Sequence, residues 1–355
     1  MNRRRIACIW AFLLIFESAI LAQTESDRYP FVKNDKLGFI DSRGREVIPA
    51  QFGNTGDAAR FKEGIANVGG TGGSGYIDES GKFIVEPKFW WAYPFSEGLA
   101  CVLLPEEGRG YGFIDRTGRL LIKGLRADSV FSDGLAPVSL GGKWGYLRTD
   151  MKMAIPPQFD FAHPFSDGMA EIEVANKWGY IDKTGRIVIL PKYDIAMPFN
   201  DGLGSVKTFL ERRPYPAGEV GMEGQTTYDV YLWGFIDQRG VEVIPPKFLN
   251  VTSFSEGYAF AMPNESTKLF GIIDRNGKFL HQPAFDEATR FSESLAAVRV
   301  GEKWGYVDHA GSWVISPSLT HAEPFWHGLA RVAFGTGRWG YVDKKGSVVW
   351  QNKSE

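Results

Sequence analysis

The chain has 355 residues, 14% aromatic and 23% charged, and so carries enough apolar side chains to offset ordering entropy, which excludes a disordered tail or linker. Its net charge of −2 is spread without long single-sign runs, so the electrostatic footprint of a nucleic-acid or anionic-membrane binder is missing. A chain this long exceeds the size at which one core keeps growing and must divide into domains or propagate a core unit by unit.

The first 22 residues read as an export signal: Arg3, Arg4 and Arg5, an apolar run from Ile6 to Phe16, and a short segment ending at Ala22. The run is too short to span a bilayer. Cleavage after Ala22 leaves residues 23–355 as an exported domain without a membrane span, in the periplasm, at the cell surface or secreted. An uncleaved N-terminal anchor is the alternative, because Ile20 stands where a small residue is preferred. Of the two cysteines, Cys8 lies in the signal and Cys101 in an apolar strand pattern, where it reads as a small buried hydrophobe.

From Gly38 onward an aromatic-Gly-aromatic-Ile-Asp motif returns nine times, with glycines at 38, 75, 112, 145, 179, 234, 271, 305 and 340. A period near 35 residues means stacked units, not one globular enzyme core. The plan is clearest at Lys177-Trp178-Gly179-Tyr180-Ile181-Asp182. Period-two alternation makes this a strand, and the following Asp-x-x-Gly makes a tight turn. A second strand such as Arg186 to Ile189 should end at its proline, which cannot donate to a ladder.

The third element is Phe-Ser-Asp/Glu-Gly-Leu-Ala, as at Phe165 to Ala170. The strand after it alternates, with Ala170, Ile172 and Val174 facing a core and Glu171 and Glu173 facing water. Short turns such as Ala175-Asn176 then lead to the next Trp-Gly, so each third strand should pair with the first strand of the following unit. The glycine run Gly69 to Gly73, with Thr71 inside it, reads as a hairpin tip, because it leads into a strand instead of a phosphate-binding helix.

Lys143-Trp144-Gly145-Tyr146, Lys177-Trp178-Gly179-Tyr180 and Lys303-Trp304-Gly305-Tyr306, the second followed by a Gly turn at Gly185 and by Pro191-Lys192-Tyr193, resemble the bacterial WG-repeat family, also called KWG repeats. The resemblance covers about residues 31 to 350. It implies β-rich repeats in exported or modular proteins and no established catalysis. The chain departs from the pattern where Leu37, Ser74, Tyr111 and Phe270 replace the Trp, Arg148 replaces the Asp, and Met151 replaces the turn Gly. One interval is longer by about 20 residues, and its extra segment, 209–229, is expected to be an exposed loop of the kind that marks a binding face in repeat arrays.

Chemistry-bearing constellations are few. Asp41, Asp78, Asp115, Asp182, Asp237, Asp274, Asp308 and Asp343 each start a turn and are spaced one unit apart instead of converging. His321 and His327, with Glu323, invite a metal reading, but no further ligand stands at a familiar spacing, and no metal or cofactor is expected. No nucleophile elbow or Walker loop is present, so the chain reads as non-enzymatic. Trp144, Gly145, Trp178, Gly179, Asp182, Trp233, Gly234, Asp237, Trp304, Gly305, Asp308, Trp339, Gly340 and Asp343 are repeat-structural positions, with the tryptophans as packing residues. Trp90, Trp91, Trp313 and Trp326 lie off that position and are the candidate ligand-contact residues.

The expectation is therefore an all-β array of nine repeats, an elongated solenoid-like stack with a closed propeller-like ring as the alternative. Its expected role is an exported scaffold binding a protein or peptide. Cell-wall glycan binding through exposed tryptophans ranks second, and hydrolysis last. Neither nucleic acid nor a membrane is an expected partner.

Overall fold

A computed structural model describes residues 27–53, 59–105, 110–127, 130–214, 226–263, 266–335 and 337–352. The segment expected to be an export signal, the middle of the long insertion and the C-terminal tail lie outside these.

The Trp-Gly strands and the elements around them form antiparallel sheets, as aromatic and β-branched runs bounded by turns require. One sheet shows the pattern. A two-residue inner strand, Phe161–Ala162, pairs with a second strand, Met169–Val174. That strand pairs with a third, Lys177–Asp182, and the third with an outer strand, Ile187–Tyr193. The predicted pairing between consecutive units thus holds: Val174 stands opposite Lys177. Each blade straddles two sequence repeats.

The expected elongated solenoid is not what forms. Among the described residues the strands make eight sheets, and these close into an eight-bladed β-propeller. Nine hairpins fit in eight sheets because the first two share a six-stranded sheet, spanning Tyr29 to Phe89 and joined where Gly53 pairs with Gly69. Closure is direct. The Tyr341 hydroxyl donates to the Pro30 carbonyl at 2.7 Å, across 311 positions, and the Tyr29 hydroxyl donates to the His327 carbonyl at 2.5 Å. Tyr29, Phe31, Ile40, Leu329 and Tyr341 form one buried cluster across this seam.

Blades are held to one another by a repeated latch. Tyr76, Tyr146, Tyr180 and Tyr306 each donate a hydroxyl hydrogen bond to a carbonyl 17 positions on, in the next blade. The ring of the same residue packs on the inner phenylalanine, as for Tyr146 and Phe165 at 4.9 Å or Tyr180 and Phe199 at 4.8 Å. Aromatics bury 150–250 Å² apiece, roughly, so these pairs carry much of the inter-blade cohesion.

Stacking each blade between two others changes the expected inside and outside. Both faces of the second strand are covered, so Glu171, expected in water, is fully buried, while Val174 at the strand end is exposed. Nor do the outer strands end at proline. Met153–Phe159 runs through Pro156 and Pro157, because an edge strand needs no donor there and a bulge lets the ladder resume at Trp144 and Phe159. That bulge explains the motif glycine. A Cβ on Gly145 would lie 2.4 Å from the Ile155 carbonyl oxygen, and one on Gly179 would lie 2.4 Å from that of Ile189.

The Asp turns form as expected. Asp182 Oδ1 accepts the backbone N–H groups of Thr184 and Arg186. In the unit where Arg148 replaces the Asp, Asp150 accepts from Lys152 N–H and pairs with Arg148, while Met151 adopts the left-handed conformation that glycine holds elsewhere. The hairpin tip at Gly69 to Gly73 also forms, with Gly70 opposite Gly73.

Candidate functional site

The two ends of the ring are chemically different because every blade runs in the same sense. One end gathers the inner turns and the Asp turns. The other gathers the hairpin tips, the repeat tryptophans and the starts of the inner strands.

On the first end, eight inner turns ring the axis, each with two successive left-handed residues, from Glu63-Gly64 to His327-Gly328. Each turn acid reaches the next turn. Glu97 accepts the Gly134 N–H at 2.9 Å, Asp133 that of Gly168 at 3.0 Å, Asp167 that of Gly202 at 2.9 Å and Asp201 that of Gly257 at 2.8 Å. Where a serine precedes the acid, it donates to the next inner phenylalanine carbonyl, as Ser132 does to Phe165 at 2.7 Å. These carboxylates thus serve as structural links between blades. The Asp-turn acids are likewise engaged. The Thr117 hydroxyl, then the backbone and side chain of Arg119, hold the Asp115 carboxyl down at about 2.

On the second end, aromatic side chains interleave between blades. Phe161 lies 4.8 Å from Trp144 of the preceding blade and 6.1 Å from Trp178 of its own, while His321 lies 6.0 Å from Trp304 and 5.5 Å from Trp339. Trp144 is buried, and Trp178, Trp233, Trp304 and Trp339 are half-buried, so the repeat tryptophans pack blades together and the last four keep an edge in solvent.

The long interval adds to this end. The segment expected to be a loop is in part strand: Leu203–Pro214 and Thr227–Asp237 continue as one ladder as far as Pro214 opposite Thr227. Regular hairpins turn six positions earlier, so the arm projects by about 20 Å at the usual rise per residue. Phe209 and Leu210 on it are about half exposed, and Lys207 sits over both Tyr231 and Trp233 at its base. The sequence signal was present in the Tyr-x-Val-Tyr-x-Trp alternation of Tyr228 to Trp233, which loop chemistry nearby obscured.

The four off-position tryptophans do not come together. Trp90 and Trp91 are exposed at the aromatic end, and Trp313 lies on an outer strand against Phe285. Trp326 packs at the seam on the opposite end, between Tyr29 and the Arg60 guanidinium. The three candidate metal ligands also have other partners. Glu323 pairs with Arg60 and Arg331, His327 with Asp27, and His321 lies between two tryptophans. Among the described residues no group of three ligating side chains is assembled, and no helix is long and apolar enough to cross a membrane. Cys101 is buried, with its thiol toward the Ala127 carbonyl.

The seam also holds a cavity of about 230 Å³, lined by Phe31, Val32, Trp339, Tyr341 and Trp350 among others, with Arg331 at its edge. It lies at a junction where, among the described residues, no inner strand precedes the second strand Tyr29–Lys33.

The family described as WG containing repeat matches eight segments, 38–68, 75–104, 111–144, 144–178, 178–208, 233–264, 270–304 and 304–335. No curated protein matches. Among solved structures, one titled "Crystal structure of the eukaryotic initiation factor" superposes with a TM-score of 0.62 at 8% identity, over 92% of this chain and 96% of that one. BamB from Moraxella catarrhalis is more distant, with a TM-score of 0.41 at 12% identity over 91% and 93% of the two chains. The first likeness speaks to the fold alone.

Proposed function

The chain belongs to the family of WG containing repeat proteins, and from that premise we propose that it is an exported, non-catalytic scaffold that binds a protein or peptide on the aromatic end of its ring. The observation that carries this reading is the arm. It lifts half-exposed Phe209 and Leu210 away from the ring beside Tyr231 and Trp233, on the end where four of the repeat tryptophans keep edges in solvent. Apolar side chains clustered on a projection, next to cation-capped aromatics, are interface chemistry. The opposite end is occupied by turns bonded to one another.

A glycan partner has less support, because the four tryptophans that motivated it lie in three separate places and form no common platform. Export rests on the N-terminal pattern of arginines and apolar residues.

The test uses the full chain as bait in cell-envelope extracts, beside a Phe209→Ser, Leu210→Ser variant with the same melting temperature. A partner captured by the wild type and lost with the variant supports the reading. Equal capture by both removes the arm, and capture of nothing from envelope material removes the scaffold. N-terminal sequencing of exported protein should begin at Gln23.

A further inference from the structure

We propose that the seam of the ring is a docking site for an extended peptide bearing an aromatic residue, then an acid, then any residue, then a small one, added as an inner strand to the edge of Tyr29–Lys33 that no described strand covers. The proposal rests on the scaffold reading above and gives it a second, defined site.

The rest of the molecule shows what fits there. In six sheets a two-residue inner strand covers the edge of the second strand: Trp91–Ala92, Phe161–Ala162, Ile195–Ala196, Asn250–Val251, Glu287–Ala288 and His321–Ala322. Tyr29–Lys33 occupies a second-strand position, since Phe31 stands opposite Gly38 as Ile172 stands opposite Gly179. Among the described residues, no strand pairs with its other edge.

The cavity has the lining that an inner strand and its aromatic neighbour meet elsewhere. Phe159, two positions before the Phe161–Ala162 strand, packs in a cluster with Trp144, Tyr146, Ile155, Ala162 and Ile172. By register, the seam equivalents of Trp144, Tyr146, Ile155 and Ile172 are Trp339, Tyr341, Trp350 and Phe31, and all four line the cavity. Among the described residues, no side chain takes the places of the aromatic and the small one. Asn352 stands in only for backbone, with its N–H donating to the Trp339 carbonyl at 2.9 Å and its Oδ1 accepting the Trp339 N–H at 2.8 Å.

Charge sets the second position. After its aromatic, the regular blade has Asp160, whose carboxylate pairs with Lys143 at 2.5 Å and accepts the Ala175 N–H at 2.8 Å. Asp194 repeats this with Lys177 at 2.6 Å and the Phe209 N–H at 2.7 Å. At the seam the lysine position is Arg338 and the N–H position is Asn34, so a cation and a hairpin tip stand ready for a peptide acid. Strand addition of this kind draws affinity from main-chain bonds and selectivity from the pockets for alternate side chains.

The probe is a fluorescein-labelled, end-blocked hexapeptide, Gln-Phe-Asp-Phe-Ala-His, which copies residues 158–163 of this chain. Its anisotropy is titrated with the intact protein. The expected result is saturable binding, weakened at least tenfold in three ways: by Val32→Arg, which crowds the cavity; by Arg338→Ser, which removes the cation; and by a Phe-to-Ser change at the probe's second position. Circular dichroism and an unchanged melting temperature certify the variants. Absence of saturable binding to the wild type, or equal affinity for Val32→Arg or the altered probe, overturns the assignment. The Phe209→Ser, Leu210→Ser variant should bind the probe normally. If the probe fails while arm-dependent capture persists, the seam falls and the scaffold stands.

Discussion

The Tyr341 hydroxyl and the Pro30 carbonyl, 311 positions apart in sequence and 2.7 Å apart in space, repeat at the seam the bond that Tyr146 and Tyr180 make to the next blade in mid-ring. At the seam no inner strand is found among the described residues, and the hydroxyl bonds the second strand itself. Burial pushes this hydroxyl well above the ordinary tyrosine value, so it stays a donor throughout the accessible pH range. Removing it should cost about 1 to 3 kcal/mol, the range for a hydrogen bond whose buried acceptor is left unpaired. Tyr341→Phe and Tyr180→Phe should lose similar stability in denaturant melts. Only Tyr341→Phe should speed amide exchange across Tyr29 to Ile40, because a closed ring opens most readily at its noncovalent joint. Unchanged exchange there would show that the aromatic cluster alone holds the seam.

Two classes of glycine should respond differently to alanine. Gly179 is not left-handed, yet a Cβ would sit 2.4 Å from the Ile189 carbonyl oxygen and 2.6 Å from the Pro191 nitrogen, both backbone. Gly168 has φ of +76° and open space around it. We expect Gly179→Ala to cost several kcal/mol through displacement of the outer strand, and Gly168→Ala about 1 to 2 kcal/mol through conformation alone. Equal losses in urea melts would refute the close approach as the reason for the Trp-Gly motif.

Ala175 offers the reverse. It holds φ of +52° at an exposed hairpin tip, where the equivalent residues are Gly141 at +60° and Gly301 at +59°. Relief of the left-handed strain, about 1 to 2 kcal/mol, exceeds the added unfolded-chain entropy of glycine, about 0.4 to 1 kcal/mol. Ala175→Gly should therefore raise stability by roughly 0.5 to 1 kcal/mol. A lower urea midpoint for the variant would contradict this.

The sequence and the fold part company at identifiable residues. Hairpins, Asp turns and the pairing of Met169–Val174 with Lys177–Asp182 were legible, because each is a local matter of alternation and turn chemistry. Closure was not. The deciding elements are two-residue strands such as Ile195–Ala196, too short to show any period, and the inter-blade latch, which joins residues 17 apart that no local pattern couples. Glu171 was placed in water on the assumption that a sheet has one wet face, which a propeller blade stacked between two others does not have. The aromatic end was legible as a set of residues and illegible as a surface, since Trp144 and Phe161 meet only across a blade junction.

That same buried carboxyl makes stability depend on pH. Burial pushes the Glu171 carboxyl up to about 8, against an ordinary value of 4.5, and neither oxygen has a hydrogen-bond partner in another residue. Burial first, and then the Glu171 carboxyl, pushes the neighbouring Tyr146 and Tyr180 hydroxyls up as well. A carboxyl whose folded value is raised binds its proton more tightly when folded. Below about 4.5 both states are protonated and the group has no effect. As pH rises toward 8 the unfolded chain releases its proton first, so stability falls across that window and levels off above it. The full loss is of order a few kcal/mol. Asn67, at the equivalent position of an earlier blade, donates its amide to the Ala92 carbonyl at 3.1 Å, so an amide is accommodated in this layer. Glu171→Gln should leave stability nearly unchanged at pH 5 and raise it progressively to pH 8, measured as urea midpoints across that range. A wild-type and variant difference that stays constant with pH would mean that Glu171 keeps its ordinary ionisation and that the blade interface admits water.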